Sequence, residues 1–265
     1  VVFSLANFAL NFIRAGNIAA FIVTLIVNGL SSTTFFNNRT TAEVSDAYPT
    51  LITPPGYVFS IWSIIYVLLA IFVIYQALPN QKTKPYQKQI GALFILSSIF
   101  NIIWLLLWQY DYITISVAAM LALLTTLITI YLRLNIGHSN APLIEKICVH
   151  LPFSVYLGWI TIATIANIAA ALVSVGWDGF GISAETWAII VLVVALIVTL
   201  LVIATRKDIA YSLVVVWALV GIAVKEGASP NIVVTAQIAI LIIFIALALA
   251  VAFYILRGKR RVVYR

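Results

Sequence analysis

Eight apolar runs, at about residues 14–31, 56–78, 88–109, 112–133, 147–174, 186–204, 209–224 and 231–256, take up most of this chain. A helix crosses about 30 Å of hydrocarbon with roughly 20 residues, and most of these runs reach that length. In hydrocarbon each backbone N–H and C=O must be satisfied within its own segment, which leaves helices as the fold for runs of this kind. The separators are the residues that break helices: Pro79, Gly137, Pro142, the stretch Gly176 to Gly181, Arg206 to Asp208, and Gly227 to Pro230. Composition names the same solvent. Hydrophobic residues make up 64% and charged residues 9%, against about 25% charged in soluble domains.

The expectation is an all-α polytopic membrane helix bundle of about eight transmembrane helices. Runs three and four are separated only by Gln109 to Asp111, which reads as a tight antiparallel hairpin. The seventh run is the shortest and spans only if Lys225 snorkels or the helix stands nearly upright. Val1 to Ile13 is apolar but too short to cross alone and reads as an interfacial helix leading into the first span. No stretch has the basic head, short apolar run and small-residue site of a cleavable signal.

Charge gives the orientation. If both termini share one side, that side collects Arg14, Lys82, Lys84, Lys88, Arg133, Lys146, Arg206, Lys207 and the tail cations Arg257, Lys259, Arg260, Arg261 and Arg265. The other side holds only Arg39 and Lys225. The asymmetry alternates loop by loop, as the positive-inside rule requires. It places both termini in the cytoplasm or stroma and the loop 32–53 outside, in a bacterial inner membrane or a thylakoid or other organelle membrane. The cations form no stripe, so a nucleic-acid partner is not expected; the basic tail suits a stop-transfer anchor with anionic lipid contact.

Several classes are argued against by what the runs lack. No Asp, Glu, Lys or Arg sits mid-span, where ion-coupled transporters, pumps and voltage sensors carry charge and where a retinal Schiff base needs its lysine. The lone cysteine, Cys148, offers neither an internal disulfide nor a cysteine metal cluster. His138 and His150 have no carboxylate or cysteine at metal-ligand spacing. His150 could ligate a porphyrin metal, or simply lie at the membrane interface. No Walker loop, dinucleotide fingerprint or nucleophile elbow appears. The chain is therefore not read as an enzyme, and no cofactor is required.

What remains is aromatic and amide chemistry on helical faces. Trp62 and Tyr66 are four apart in the second run; Asn101, Trp104 and Trp108 share a stripe in the third; Tyr156, Trp159, Ala163 and Asn167 share one in the fifth, with Thr164 beside it. Amides are costly against lipid, so Asn101 and Asn167 should point inward. Three helices thus offer rings and hydrogen-bonding groups for a large planar hydrophobic molecule. Plainer uses stand beside that one. Tyr57, Tyr110, Tyr112, Trp177 and Trp187 fit an interfacial aromatic belt. Trp104 and Trp159 fit helix packing, and Asn101 and Asn167 fit bonds to one another or to nearby backbone.

Pro54-Pro55-Gly56-Tyr57-Val58-Phe59, followed by Trp62 and Tyr66, resembles the signature of the TspO/MBR family, the tryptophan-rich sensory proteins related to the mitochondrial translocator (peripheral benzodiazepine receptor) protein. Asn101-Ile102-Ile103-Trp104 resembles the family's Asn-x-x-Trp, and Trp159 to Asn167 its Trp-x-x-x-Ala-Thr-x-x-Asn. Two departures stand out: Phe59 and Trp62 are separated by two residues rather than three, and Tyr57 replaces a tryptophan. The shorter spacing would turn Trp62 about 100° around its helix.

The resemblance implies an extended, divergent member. Residues 1–174 would form a TspO-like five-helix core, 175–256 three additional helices and 257–265 the basic cytoplasmic tail. It also implies a pocket for a porphyrin, another tetrapyrrole or a sterol-like molecule, in a sensory, regulatory or transport role, and often a homodimer. The pocket residues carried over are Tyr57, Trp62, Tyr66, Asn101, Trp104, Trp159, Thr164 and Asn167. Two other readings remain open: a structural or accessory subunit of a larger, pigment-carrying membrane complex, and a permease for a neutral solute. The almost purely aliphatic faces of 186–256, with Gln237 the main exception, suit lipid or a partner helix.

Overall fold

A computed structural model describes residues 2–263, with side chains at 10–253 and 256. The expected basic tail, 257–265, lies outside the described side chains. Among the described residues the chain is helical with no strand. Six helical segments are long and apolar enough to cross a membrane, and two shorter apolar helices, Leu93–Gln109 and Ile209–Ala223, stand where the third and seventh spans were expected.

The long helix α1 (Val2–Ser31) runs without a break through the segment expected to be interfacial. After it come a short loop helix α2 (Thr41–Ala47), a 3-10 turn (Gly56–Ser60) and α3 (Ile61–Ala77). The third apolar run is split: α4 (Pro85–Ile90) stops at Gly91, and α5 (Leu93–Gln109) starts two residues later. Gly91 has φ +51° and ψ −132°, a backbone region open essentially to glycine, so the helix cannot pass through it. The expected hairpin follows, as α5 turns through Asp111 at φ +61° into α6 (Ile113–Arg133). A single turn, α7 (Leu143–Glu145), widens into a π-helical turn over Lys146–His150 before α8 (Leu151–Ser174). The Leu151 N–H bonds the Lys146 carbonyl there, and the widening sits just ahead of Pro152, which has no N–H to offer. The chain ends with α9 (Ala184–Arg206), α10 (Ile209–Ala223) and α11 (Pro230–Val263).

Five helices close into a ring in the order α1, α5, α6, α8, α3 and back to α1, with the α5–α6 and α6–α8 seams the most extensive. The last three form an annex. Within it α11 packs on both α9 and α10, and only α10 packs broadly on the ring, against α8. Helices α8 and α9 are consecutive yet barely touch.

Polar groups fasten α10 at both ends. At its start Asp208 is 7% exposed. Its carboxylate accepts from the Tyr131 hydroxyl (2.9 Å), the Ser154 hydroxyl (2.6 Å) and the Tyr211 N–H (3.1 Å), so it caps α10 and ties it to α6 and α8. Near its far end the Trp217 indole donates to the Val58 carbonyl (3.0 Å), and the Lys225 ammonium donates to the Thr53 carbonyl (2.9 Å). Lys225 therefore holds the chain ahead of the Pro-Pro-Gly segment. Gly221 lets that segment approach: a Cβ there would lie 2.4 Å from Val58 Cγ2.

Candidate ligand-binding site

The Pro54-Pro55-Gly56 break sets the site up. Pro55 is extended (φ −56°, ψ 152°), and the 3-10 turn behind it swings the chain into α3 within five residues. Phe59 is thereby delivered edge-on to Trp159 at 5.9 Å between ring centroids. Trp62 enters on the second residue of α3 and becomes the hub. It stacks on Tyr66 (5.7 Å, 15° between planes) and on Trp104 (6.1 Å, 27°), and meets Tyr156 (6.0 Å) and Trp159 (6.2 Å) edge-on. Trp104 stacks in turn on Trp108 (6.0 Å, 29°). Four near-parallel rings, Tyr66, Trp62, Trp104 and Trp108, thus form a ladder from α3 to α5, with Tyr156 and Trp159 of α8 along its side.

Amides brace this cluster. Asn101 donates from Nδ2 to the Tyr156 hydroxyl (3.1 Å) and accepts at Oδ1 from Asn28 Nδ2 (2.8 Å), joining α5, α8 and α1. Asn167 Oδ1 accepts from Trp104 Nε1 (3.0 Å), while its Nδ2 donates to the Ser116 hydroxyl (2.9 Å), joining α8, α5 and α6. The two asparagines therefore bond partners on other helices rather than each other. The rings of the ladder are positioned by ties to four of the five ring helices.

Against known proteins, the TSPO-like protein family description matches residues 13–249. The chain belongs to the TSPO-like family. No curated protein and no solved structure gives a significant match. The family match runs on through α9 and α10 and well into α11, so it takes in most of the annex.

Of the eight residues expected in the TSPO-like pocket, Trp62, Tyr66, Trp104 and Trp159 meet directly, and Asn101 and Asn167 brace them. Thr164 is buried but gives its hydrogen to the Ile160 carbonyl of its own helix (2.7 Å). Tyr57 stands apart, half exposed, with its ring edge-on to Trp217 of α10 at 5.8 Å. The Asn28 and Ser116 contributions were missed. Asn28 carried a usable signal, an amide within an apolar run, whereas Ser116 carried none.

Two polar atoms in the cluster are different. Tyr66 Oη and Trp159 Nε1 are buried with no hydrogen-bond partner. The tryptophan N–H is a donor only, and the phenol O–H can donate or accept. Each such orphan costs about 1–3 kcal/mol. They lie on α3 and α8, on two rings that each contact Trp62. The groups expected to bond a ligand's edge, Asn101, Asn167 and Thr164, are already engaged, and the unengaged ones belong to rings.

A folded loop lies over this end of the ring. Thr40 and Glu43 form a capping box at the start of α2. The Trp108 indole donates to the Thr41 carbonyl (3.2 Å), and Gln109 Nε2 donates to the Arg39 carbonyl (2.8 Å). Arg39 pairs with Asp111, which also accepts from the Tyr48 hydroxyl (3.1 Å). Burial and that carboxylate push the Tyr48 phenol up. The loop is thus hydrogen-bonded to the ladder's last tryptophan.

Among the described residues no group of three or more His, Cys, Asp or Glu could hold a metal. His150 is buried in the π-helical turn before α8. A cavity of about 750 Å³ opens elsewhere, between α8 and α9, and none of the eight residues lines it.

Proposed function

We propose that the five-helix ring binds a planar, largely apolar molecule with acceptor groups on its edge, best matched by a tetrapyrrole, at the Trp62 ladder. The observation that carries this reading is the pair of buried orphaned polar atoms, Tyr66 Oη and Trp159 Nε1, in a cluster where Asn101, Tyr156, Trp104, Trp108 and Asn167 are hydrogen-bonded. A flat ring system entering beside Trp62 keeps the stacking geometry of the ladder, and its carbonyl or carboxylate oxygens recover the two lost hydrogen bonds. Asn101 and Asn167 then act as braces that hold the tryptophans, and the loop 32–53 covers the entrance. Membership of the TSPO-like family favours the same ligand class over a sterol-like one only together with the near-parallel rings. Release or retention of such a ligand suits a sensory, regulatory or transport role without any catalytic group.

The alternation of loops places Arg39 and Lys225 at the ladder end of the ring and Arg14, Lys82, Lys84, Lys88, Arg133, Lys146, Arg206 and Lys207 at the other. By the positive-inside rule the ladder end faces out of the cytoplasm or stroma and both termini face in. The test is a titration of the purified protein with protoporphyrin IX, read by quenching of tryptophan fluorescence. Trp159→Phe keeps most of the ring and removes the N–H, and should bind roughly tenfold more weakly, the worth of one hydrogen bond in a dry site. Unsaturable quenching in the unaltered protein would overturn the reading.

A further inference from the structure

The cavity between α8 and α9 has no role in the tetrapyrrole reading, and its lining differs in kind from the ladder. At about 750 Å³ it falls in the roughly 300–1,000 Å³ range of small-molecule sites. Its walls are aliphatic, with Ile168 and Leu172 from α8 and Val191 from α9. It is more than a groove between two helix faces, because three loops also contribute: residues 49–52, the turn containing Trp177, and Lys225 to Ala228. It exists because α8 and α9 make little contact while α10, with α9 and α11 packed on it, holds the annex to the ring.

One lining residue is cationic. The Lys225 ammonium is half-buried and bonded only to neutral oxygens, the Thr53 carbonyl at 2.9 Å and the Thr50 carbonyl at 3.5 Å. Among the described residues the only ion pair is Arg39 with Asp111, so no carboxylate lies within ion-pair distance of Lys225, and its sequence neighbour Glu226 is exposed. The acid in the lining, Asp178, is exposed and caps its own turn, accepting the Phe180 N–H at 3.0 Å. Trp177 and Trp187 pack together at 5.1 Å and also line the cavity; tryptophans favour the depth of lipid headgroups.

We propose that this cavity binds one anionic amphiphile drawn from the membrane, with an acyl chain between α8 and α9 and a carboxylate or phosphate at Lys225. A largely apolar cavity with a single ammonium that has no ion-pair partner fits such a molecule better than a neutral lipid. A headgroup oxygen accepts the ammonium's remaining N–H and supplies the missing charge. The site is separate from the Trp62 ladder and stands or falls independently of tetrapyrrole binding.

The experiment uses the full chain in detergent, titrated with dibromostearic acid and, separately, with the corresponding dibrominated alcohol. Bromine quenches tryptophan at short range, and Trp177 and Trp187 report the cavity. The acid should quench saturably, and Trp177→Phe/Trp187→Phe should remove most of that signal. Lys225→Gln should weaken the acid roughly tenfold and leave the alcohol unchanged, as for loss of one charge-assisted hydrogen bond. Ala169→Phe, or Val191→Phe if the first variant folds poorly, should abolish saturable quenching while protoporphyrin binding persists. Competition by unlabelled stearate and by phosphatidylglycerol identifies a free acid or a phospholipid as the source. Equal, unsaturable quenching by acid and alcohol, unchanged by Lys225→Gln, would overturn the proposal and leave the cavity as a lipid-facing surface.

Discussion

The five-helix ring and the three-helix annex both come from long apolar runs, those of the annex the more apolar, and they are built in different ways. The ring is held by side chains that cross between helices: Asn28 to Asn101 to Tyr156, and Trp104 to Asn167 to Ser116. Its interior is filled by rings, and its buried side-chain atoms without partners are Asn17 Oδ1, Gln109 Oε1 and, in the aromatic cluster, Tyr66 Oη and Trp159 Nε1. In the annex, α9 and α11 bury small residues such as Ala195, Ala236 and Ala239, and Gln237 points away from the packing as an exposed side chain. Polar ties are concentrated on α10, which is the seam. Small residues let helices approach closely without specifying what lies between them, whereas crossed amides fix partners one by one. The difference teaches where specificity should lie: a shaped polar and aromatic site in the ring, and a volume selected by one charge in the annex.

The most severe way to break this arrangement is at the seam. Asp208→Ala leaves the Tyr131 and Ser154 hydroxyls and the Tyr211 N–H without their acceptor, and should cost about 3 kcal/mol or more. A thermal unfolding scan in detergent would show it, and Asp208→Asn, which keeps one acceptor oxygen, should lose less. A second cut lies at the other end of α10. Gly221→Ala forces Val58 to move from a Cβ only 2.4 Å away and should cost about 1–3 kcal/mol. Because Val58 precedes Phe59 and Trp62, it should also weaken protoporphyrin binding, which Asp208→Asn should affect less.

A smaller effect sharpens the comparison within the ring. Asn101→Ala removes a brace shared with Asn28 and Tyr156, and should lower stability by about 1–3 kcal/mol and weaken ligand binding as well. The smallest effect is expected in the loop. Arg39 and Asp111 are each about one-third exposed, so Arg39→Ala should cost at most about 1 kcal/mol and chiefly speed exchange of the loop's backbone amides.

The bundle was legible because apolar run length is itself the folding signal in a membrane. The ladder was legible because four-residue spacing puts Trp62 with Tyr66, and Trp104 with Trp108, on shared faces. The shortened Phe59-to-Trp62 spacing, expected to rotate Trp62 around its helix, leaves it at the hub, since the 3-10 turn ahead of α3 sets its direction. The break at Gly91 was hidden because one glycine in an apolar run usually stays helical, and only its φ and ψ show otherwise. The seam was hidden too. Asp208 read as one charge in a short loop, and Trp217 and Gly221 as members of an apolar run suited to lipid or a partner helix. Nothing local says that a carboxylate will be buried under hydroxyls from residues 77 and 54 positions away. The orphaned atoms of Tyr66 and Trp159 could not be read at all, because the lack of a partner is a property of packing.

The central claim is that those two orphaned atoms serve a ligand. The most direct test is Tyr66→Phe/Trp159→Phe, measured at once for thermal stability and protoporphyrin IX affinity. Removing buried polar groups that bond nothing should leave the unfolding midpoint unchanged or raise it, while affinity should fall by roughly tenfold or more. Full affinity retained in the double variant, with a lowered midpoint, would contradict the account and make the ladder a packing device.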